Sequence, residues 1–175
     1  MKRAAVVFLL ASASLSAMIE GAAGGLRWTV PARWQATSPR PMRVATYKIP
    51  AAPGTEDGEC GVFYFGKGQG GSAEENLERW AGQFEPPAKP RKAVKIINRL
   101  RVHTIEIAGT YLSPGGPMMQ SQGKKPGWRL SGAIVEAPEG LVFFKCTGPA
   151  ATIEKAREEL EALLGSLASV GGAKA

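Results

Sequence analysis

Hydrophobic and polar positions along this chain fall into short blocks divided by Pro and Gly, after one longer apolar run from Ala4 to Ile19 that carries no charge. Leu26 to Val30 predicts a strand, followed by a turn through Pro31 and a tryptophan at Trp34. Pro41 to Ile49 predicts a second strand, because its β-branched and aromatic residues suit a pleated, half-buried surface. Cys60 to Phe65 is apolar at nearly every position, as expected of a central strand covered on both faces. A helix then follows, opened by a capping box of Ser72 and Glu75 and carrying one apolar stripe of Leu77, Trp80, Ala81 and Phe84. Pro86, Pro87 and Pro90 end it.

Ala93 to Ile97 and Val102 to Leu112 predict a hairpin turning at Asn98-Arg99, since Asn tolerates the left-handed backbone of such turns. Ser113 to Gly127 reads as a long loop containing Met118 and Met119. Strands return at Trp128 to Glu136 and Leu141 to Thr147, joined through Pro138-Glu139-Gly140. After Pro149, the spacing of Ile153, Ala156, Leu160, Leu163, Leu164 and Leu167 predicts one helix of about four turns. Hairpin-linked strands with a helix midway and another at the end do not alternate as parallel units would. The expected class is α+β, a mainly antiparallel sheet flanked by helices.

At 175 residues the chain has room for one domain and no second full one. Lys2 and Arg3, the apolar run, and the small residues Ala22, Ala23 and Gly24 have the layout of a secretory leader, with cleavage expected after Ala23 and an alternative after Ala13. The run is about 16 residues, short of the roughly 20 a spanning helix needs, so no transmembrane segment is expected in the mature chain. The plan is a signal peptide over 1–23, one domain over 24–168 and a disordered tail over 169–175, in a periplasmic or secreted protein.

Charge adds a second layer. The sequence has 22 Lys and Arg against 15 Asp and Glu, a net +7, and loss of Lys2, Arg3 and Glu20 with the leader would leave +6. Lys89, Arg91, Lys92, Lys95, Arg99 and Arg101 lie between Pro86 and His103 with no acid among them. Such a run can dock on an acidic protein face or an anionic envelope component, or simply keep an exported hairpin soluble. No stacking aromatics are interleaved with these bases, so nucleic acid is not an expected partner.

The residues available for chemistry are few. His103 is the single histidine, no G-x-S-x-G elbow occurs, and no metal-ligand spacing is present, so no catalytic residue, metal or cofactor is expected. Gly66-Lys67-Gly68-Gln69-Gly70-Gly71 matches G-x-G-x-x-G between a strand and a helix, but no acid waits near residue 98 to hold a ribose. What remains for Lys67, Gly68, Gln69, Gly70, Gly71 and Ser72 is either an anion site at the helix start or a connector that needs left-handed residues. Cys60 and Cys146, each at the end of an apolar strand, would close a loop of about 85 residues if bonded. The alternative is two buried thiols in strands that never meet.

Leu26-Arg27-Trp28-Thr29-Val30-Pro31-Ala32-Arg33-Trp34 resembles the opening of exported PsbP-like proteins, and Phe143-Phe144-Lys145-Cys146-Thr147-Gly148-Pro149 with the helix after it is similar to their last strand and helix. The resemblance implies an α/β/α sandwich around an antiparallel sheet, a role as an accessory subunit, and no shared catalytic set. The leading expectation is therefore a non-enzymatic exported protein that binds a partner or envelope component. A small-ligand or anion-binding protein using the Gly-rich loop is the alternative, and a hydrolase or oxidoreductase comes third.

Overall fold

The computed structural model describes residues 18–113 and 123–170. The leader through residue 17, Met118 and Met119, and the tail from residue 171 lie outside the described residues. The chain forms β1 (Glu20–Ala23), β2 (Leu26–Thr29), β3 (Gln35–Ala36), β4 (Ala45–Ile49), β5 (Gly58–Tyr64), α1 (Ala73–Ala81), β6 (Arg91–Ile97), β7 (Leu100–Leu112), β8 (Lys124–Ala137), β9 (Gly140–Pro149), α2 (Ala150–Lys155), α3 (Arg157–Gly165) and β10 (Ala168–Ser169). A seven-stranded antiparallel sheet runs in the order β3-β4-β5-β9-β8-β7-β6, and a three-stranded one in the order β1-β2-β10. This is the α+β architecture that the pattern predicts.

The pleat of β9 sorts the core into two layers. Phe144 and Cys146 point to one face, where Trp28, Val62, Val135, Ile153 and Leu163 bury them under α2, α3 and the small sheet. Phe143 points to the other, against Leu77 and Trp80 of α1 and Ile105, Ile107 and Leu130 of the sheet. Burial of the middle residues of β9 on both sides explains the apolar run Leu141 to Phe144. Helix α1 starts as expected: the Ser72 hydroxyl accepts from the Glu75 amide, and the Glu75 carboxylate accepts from the Ser72 amide at 2.8 Å. Trp80 lies directly over Gly132, where an added Cβ would come within 2.5 Å of the indole. The Asn98-Arg99 turn has positive φ at both residues, 49° and 67°, the conformation of a tight hairpin.

Three features depart from the sequence pattern. The C-terminal helical periodicity is interrupted at Ala156, so one expected helix becomes α2 and α3. Leu160, Leu163 and Leu164 keep their spacing in α3, whereas Leu167 lies beyond the helix, fully buried. The strand β1 occupies residues 20–23, which the leader layout assigns to a segment removed on export, and β10 includes Ser169, the first residue of the expected tail. Both pair with β2, Gly21 opposite Trp28 and Ala168 opposite Arg27. The Trp28 ring crosses Gly21 so closely that a Cβ there would lie 2.3 Å from it.

The Pro31-to-Trp34 segment is fastened to α3. Arg33 makes a bidentate pair with Glu159 at 2.6 and 2.8 Å, and the Trp34 indole donates to the same carboxylate at 3.0 Å. Trp28 donates to the Tyr47 hydroxyl at 3.1 Å. All four tryptophans thus belong to the packing of the sheet faces, Trp128 by stacking on Tyr111.

A chain beginning at Met18 is expected to be more stable than one beginning at Gly24, by on the order of 1–3 kcal/mol, because the shorter chain uncovers one face of Trp28. Thermal melts with tryptophan fluorescence check this; equal melting temperatures would mean that β1 adds nothing to the fold.

Candidate functional site

The α1 face of the large sheet is only partly roofed. Beyond the end of α1 it opens into a groove of about 490 Å³, within the range of small-molecule sites. Lys145 stands on its floor. In register, Lys145 lies opposite Gly61 of β5 on one side and Gly132 of β8 on the other. Trp80 fills the space over Gly132, and the Phe63 ring and the Arg43 guanidinium close over Gly61, 3.0 and 3.1 Å from where a Cβ would lie. Gly61 and Lys145 both line the groove.

Lys145 Nζ donates to Gln83 Oε1 and, at 3.4 Å, to the Tyr111 hydroxyl. It also lies 5.7 Å from the Tyr111 ring centroid and 6.0 Å from that of Trp80. Burial pushes the lysine down to about 8, with the Arg43 charge adding to the fall and Glu59 opposing it. Burial pushes the Tyr111 phenol up to about 12. The other floor and wall charges are largely paired. Arg40 and Arg43 both hold Glu59, the former at 2.9 Å, and Lys48 reaches Asp57 at 3.5 Å. Lys125 sits 4.3 Å above the Trp128 ring, whose other neighbour is Tyr111, stacked at an interplanar angle of 2°.

The basic run is divided by the pleat of β6. Arg91 and Lys95 face the α3 side, where Arg91 pairs with Glu106, while Lys92 faces α1 and is held by Glu74 and Glu78. Those two carboxylates hold the Lys92 proton more firmly than in free lysine. Arg99 lies in the turn and Arg101 on β7, 3.8 Å from Glu136, whose carboxylate also accepts from His103 Nε2 at 2.7 Å. Lys89 precedes the strand. The six bases therefore form the two sides of one sheet edge. β6 is that edge, a seven-residue strand exposed along almost its whole length, with Val94 55% and Ile96 67% accessible.

The Gly-rich loop is separate from both. Gly66, Gly68, Gly70 and Gly71 all have positive φ, so the loop takes up the left-handed conformations a connector requires. One of its helix-start donors, the Glu75 amide, is taken by the Ser72 hydroxyl, while the Glu75 carboxylate accepts from both the amide and the hydroxyl of Ser72. Asn76 donates to Gly70 and Ser72 carbonyls, and Arg79 donates to Asn76. The shallow hollow beside the loop is lined by Phe65, Gln69, Gly70, Gly71 and Arg79, and Lys67 is not part of it.

Cys60 and Cys146 are direct cross-strand partners in β5 and β9, both buried and both free thiols. The strands that hold them do meet, which removes the alternative of thiols in strands that never approach. Burial, with the neighbouring Cys60, pushes the Cys146 thiol well up, so Cys146 is not placed as a reactive thiolate. Among the described residues no cluster of three or more His, Cys, Asp or Glu is placed to hold a metal, and no helix is long and apolar enough to cross a membrane.

One sheet with α1 on one face and α2, α3 and the N-terminal hairpin on the other has known counterparts. The structure of cyanobacterial PsbP (CyanoP) from Synechocystis sp. PCC 6803 superposes with a TM-score of 0.52 at 9% identity, over 93% of this chain and 98% of that one. The chain has a PsbP-like fold. A second counterpart is PA94 from Pseudomonas aeruginosa, a protein of unknown function named as a candidate regulator, with a TM-score of 0.51 at 14% identity over 86% of this chain and 96% of that one. No family model matches the sequence, and no curated protein matches it significantly. The PsbP-like resemblance of the opening and closing segments thus holds at the level of fold. Identities this low carry no residue roles across, so the PsbP-like scaffold has to be read from its own side chains.

Lys145 escaped the sequence reading because it sits in an apolar run, Phe143-Phe144-Lys145-Cys146, whose pattern predicts only a buried strand. A lone charge in such a run was the available signal. The folded amine gives up its proton near pH 8, and an unfolded lysine only near about 10.4. Between those values the unfolded state binds more protons, so stability is expected to rise with pH across that window. Lys145→Met is expected to remove the rise and to stabilise the fold at about pH 7 by on the order of 1–3 kcal/mol. Denaturant melts at about pH 7 and about pH 9.5 test both statements; a parent protein whose stability does not rise would place the amine in water.

Proposed function

We propose that this chain is an exported, non-enzymatic accessory protein that holds an acidic, extended segment of a partner along the β6 edge. The observation that carries the reading is the edge itself: a long, solvent-facing strand at the end of the sheet with Arg91 and Lys95 on one face and, beyond the paired Lys92, the exposed aliphatic side chains of Val94 and Ile96 on the other. An added strand has alternate side chains on the two faces. Its residues on one face would lie beside Arg91 and Lys95, and those on the other beside Val94 and Ile96, so alternating acidic and apolar residues fit. A second copy of β6 would instead set like charges against each other, which disfavours self-pairing.

Export rests on the leader layout of residues 1–23. The non-enzymatic reading draws on the engagement of His103 with Glu136, on the burial of both thiols and on the raised Cys146 thiol. The PsbP-like fold is compatible with an accessory role, as is the description of PA94 as a candidate regulator.

A synthetic seven-residue peptide alternating Glu and Val is expected to bind and to shift β6 backbone amide signals. Raising salt from about 50 mM to about 500 mM should weaken it about tenfold, since exposed charges are then screened within a few ångströms. The double reversal Arg91→Glu with Lys95→Glu should weaken it at least as much. Binding that ignores both salt and reversal, or that leaves β6 amides unmoved, would sink the reading.

A further inference from the structure

The groove over Lys145 plays no part in strand addition at β6. We propose that it binds a small organic acid, with the carboxylate or phosphate group of the ligand seated at the Lys145 ammonium on the floor of the groove. Three observations lead there. First, of the five basic side chains lining the groove, Arg40, Arg43 and Lys48 are already paired with Glu59 or Asp57. Among the described residues Lys145 and Lys125 have no carboxylate within ion-pair distance. Set against the three lining acids, Glu56, Asp57 and Glu59, these bases leave an excess of positive charge for a ligand to neutralise.

Second, among the described residues the Lys145 ammonium is held by neutral acceptors, the Gln83 amide oxygen and the Tyr111 hydroxyl. A half-buried cation with two neutral partners keeps a third donor for a ligand, and a bond there to an anion, charged on both sides, is stronger than either existing one. Its nearest charged neighbours are Arg43, which repels it, and Glu59, which Arg40 and Arg43 share. An oxyanion placed between Lys145 and Arg43 would be attracted by both. Third, a groove of about 490 Å³ is far larger than a bare anion requires, and Phe63, Tyr111 and Trp128 line it with aromatic carbon. Thr147, two residues along on the same face of β9, adds a hydroxyl to the floor. Those dimensions and linings suit an acidic head on an organic body.

The groups facing Lys145 also set how binding follows pH. Arg43 and Glu59 act on Lys145 as charges of opposite sign, and Tyr111 keeps its proton until about 12. Loss of the Lys145 proton near pH 8 is then the change that removes the ligand's counter-charge.

The test titrates the folded protein with benzoate, phenyl phosphate and the neutral analogue benzamide, following ligand-observed and backbone NMR. Benzoate or phenyl phosphate is expected to bind saturably, to shift Gly61 and Thr147 amides, and to bind at least about tenfold more tightly than benzamide. Lys145→Met, which removes the charge and keeps an apolar stem of similar length, should abolish that preference while the protein remains folded. Lys67→Ala should leave it intact. Affinity should fall as pH rises through about 8. The proposal is overturned if neither acid binds saturably, if Lys145→Met retains the preference, or if inorganic phosphate binds as tightly as phenyl phosphate, which would make the site one for a bare anion.

Discussion

Everything in this fold is arranged around burying β9 on both faces. Phe143, Phe144 and Cys146 alternate through the middle of the sheet, so cover is needed above and below it. One side receives α2, α3 and the small sheet, a broad cover. The other receives α1 alone, nine residues that span about 13 Å, against a 14-residue strand β8 that runs about 46 Å. A single short helix cannot roof a sheet of that size. Apolar residues crowd beneath it, and polar residues take over where it ends.

That mismatch places Lys145 where it is. One strand position nearer the helix it would be roofed and would have to be apolar, as Phe143 is. At its actual place the amine lies beside the Trp80 ring at the margin of the groove, the usual compromise of a long cationic side chain at an apolar margin. The glycines beside it in register complete the arrangement, Gly132 accommodating the indole and Gly61 letting the Phe63 ring and the Arg43 guanidinium close in.

Local signals were legible in the sequence and distant ones were not. The Ser72-Glu75 box and the Asn98-Arg99 turn are written in neighbouring residues, because caps and tight turns depend on hydrogen bonds and dihedrals within a few positions. The break at Ala156 is invisible to a periodicity argument, which sees only that apolar residues return at helical spacing and not that the backbone shifts between two helical segments. The Cys60 to Cys146 register, the Gly61 to Lys145 neighbourhood and the Tyr111 contact each join residues more than 30 positions apart, and these are fixed by strand order. The same holds for the basic run: composition found six bases close in sequence, and the pleat distributed them over two faces and a turn.

The three-stranded sheet has a consequence for the order in which the chain completes itself. Its central strand β2 lies near the start of the described residues, yet one of its two partners, β10, is among the last. Asn98 at the β6–β7 turn donates to the carbonyls of Gly165 and Leu167, and the Val170 amide to that of Gly25, so this closure also ties in the far hairpin. Contacts of such long sequence separation form late, because the loop entropy must be lost before they stabilise anything. Trp28 and Leu26 therefore remain without their full cover until β10 has been synthesised. During that interval the molecule presents a sticky β1–β2 hairpin, which makes β10 a molecular clasp on it.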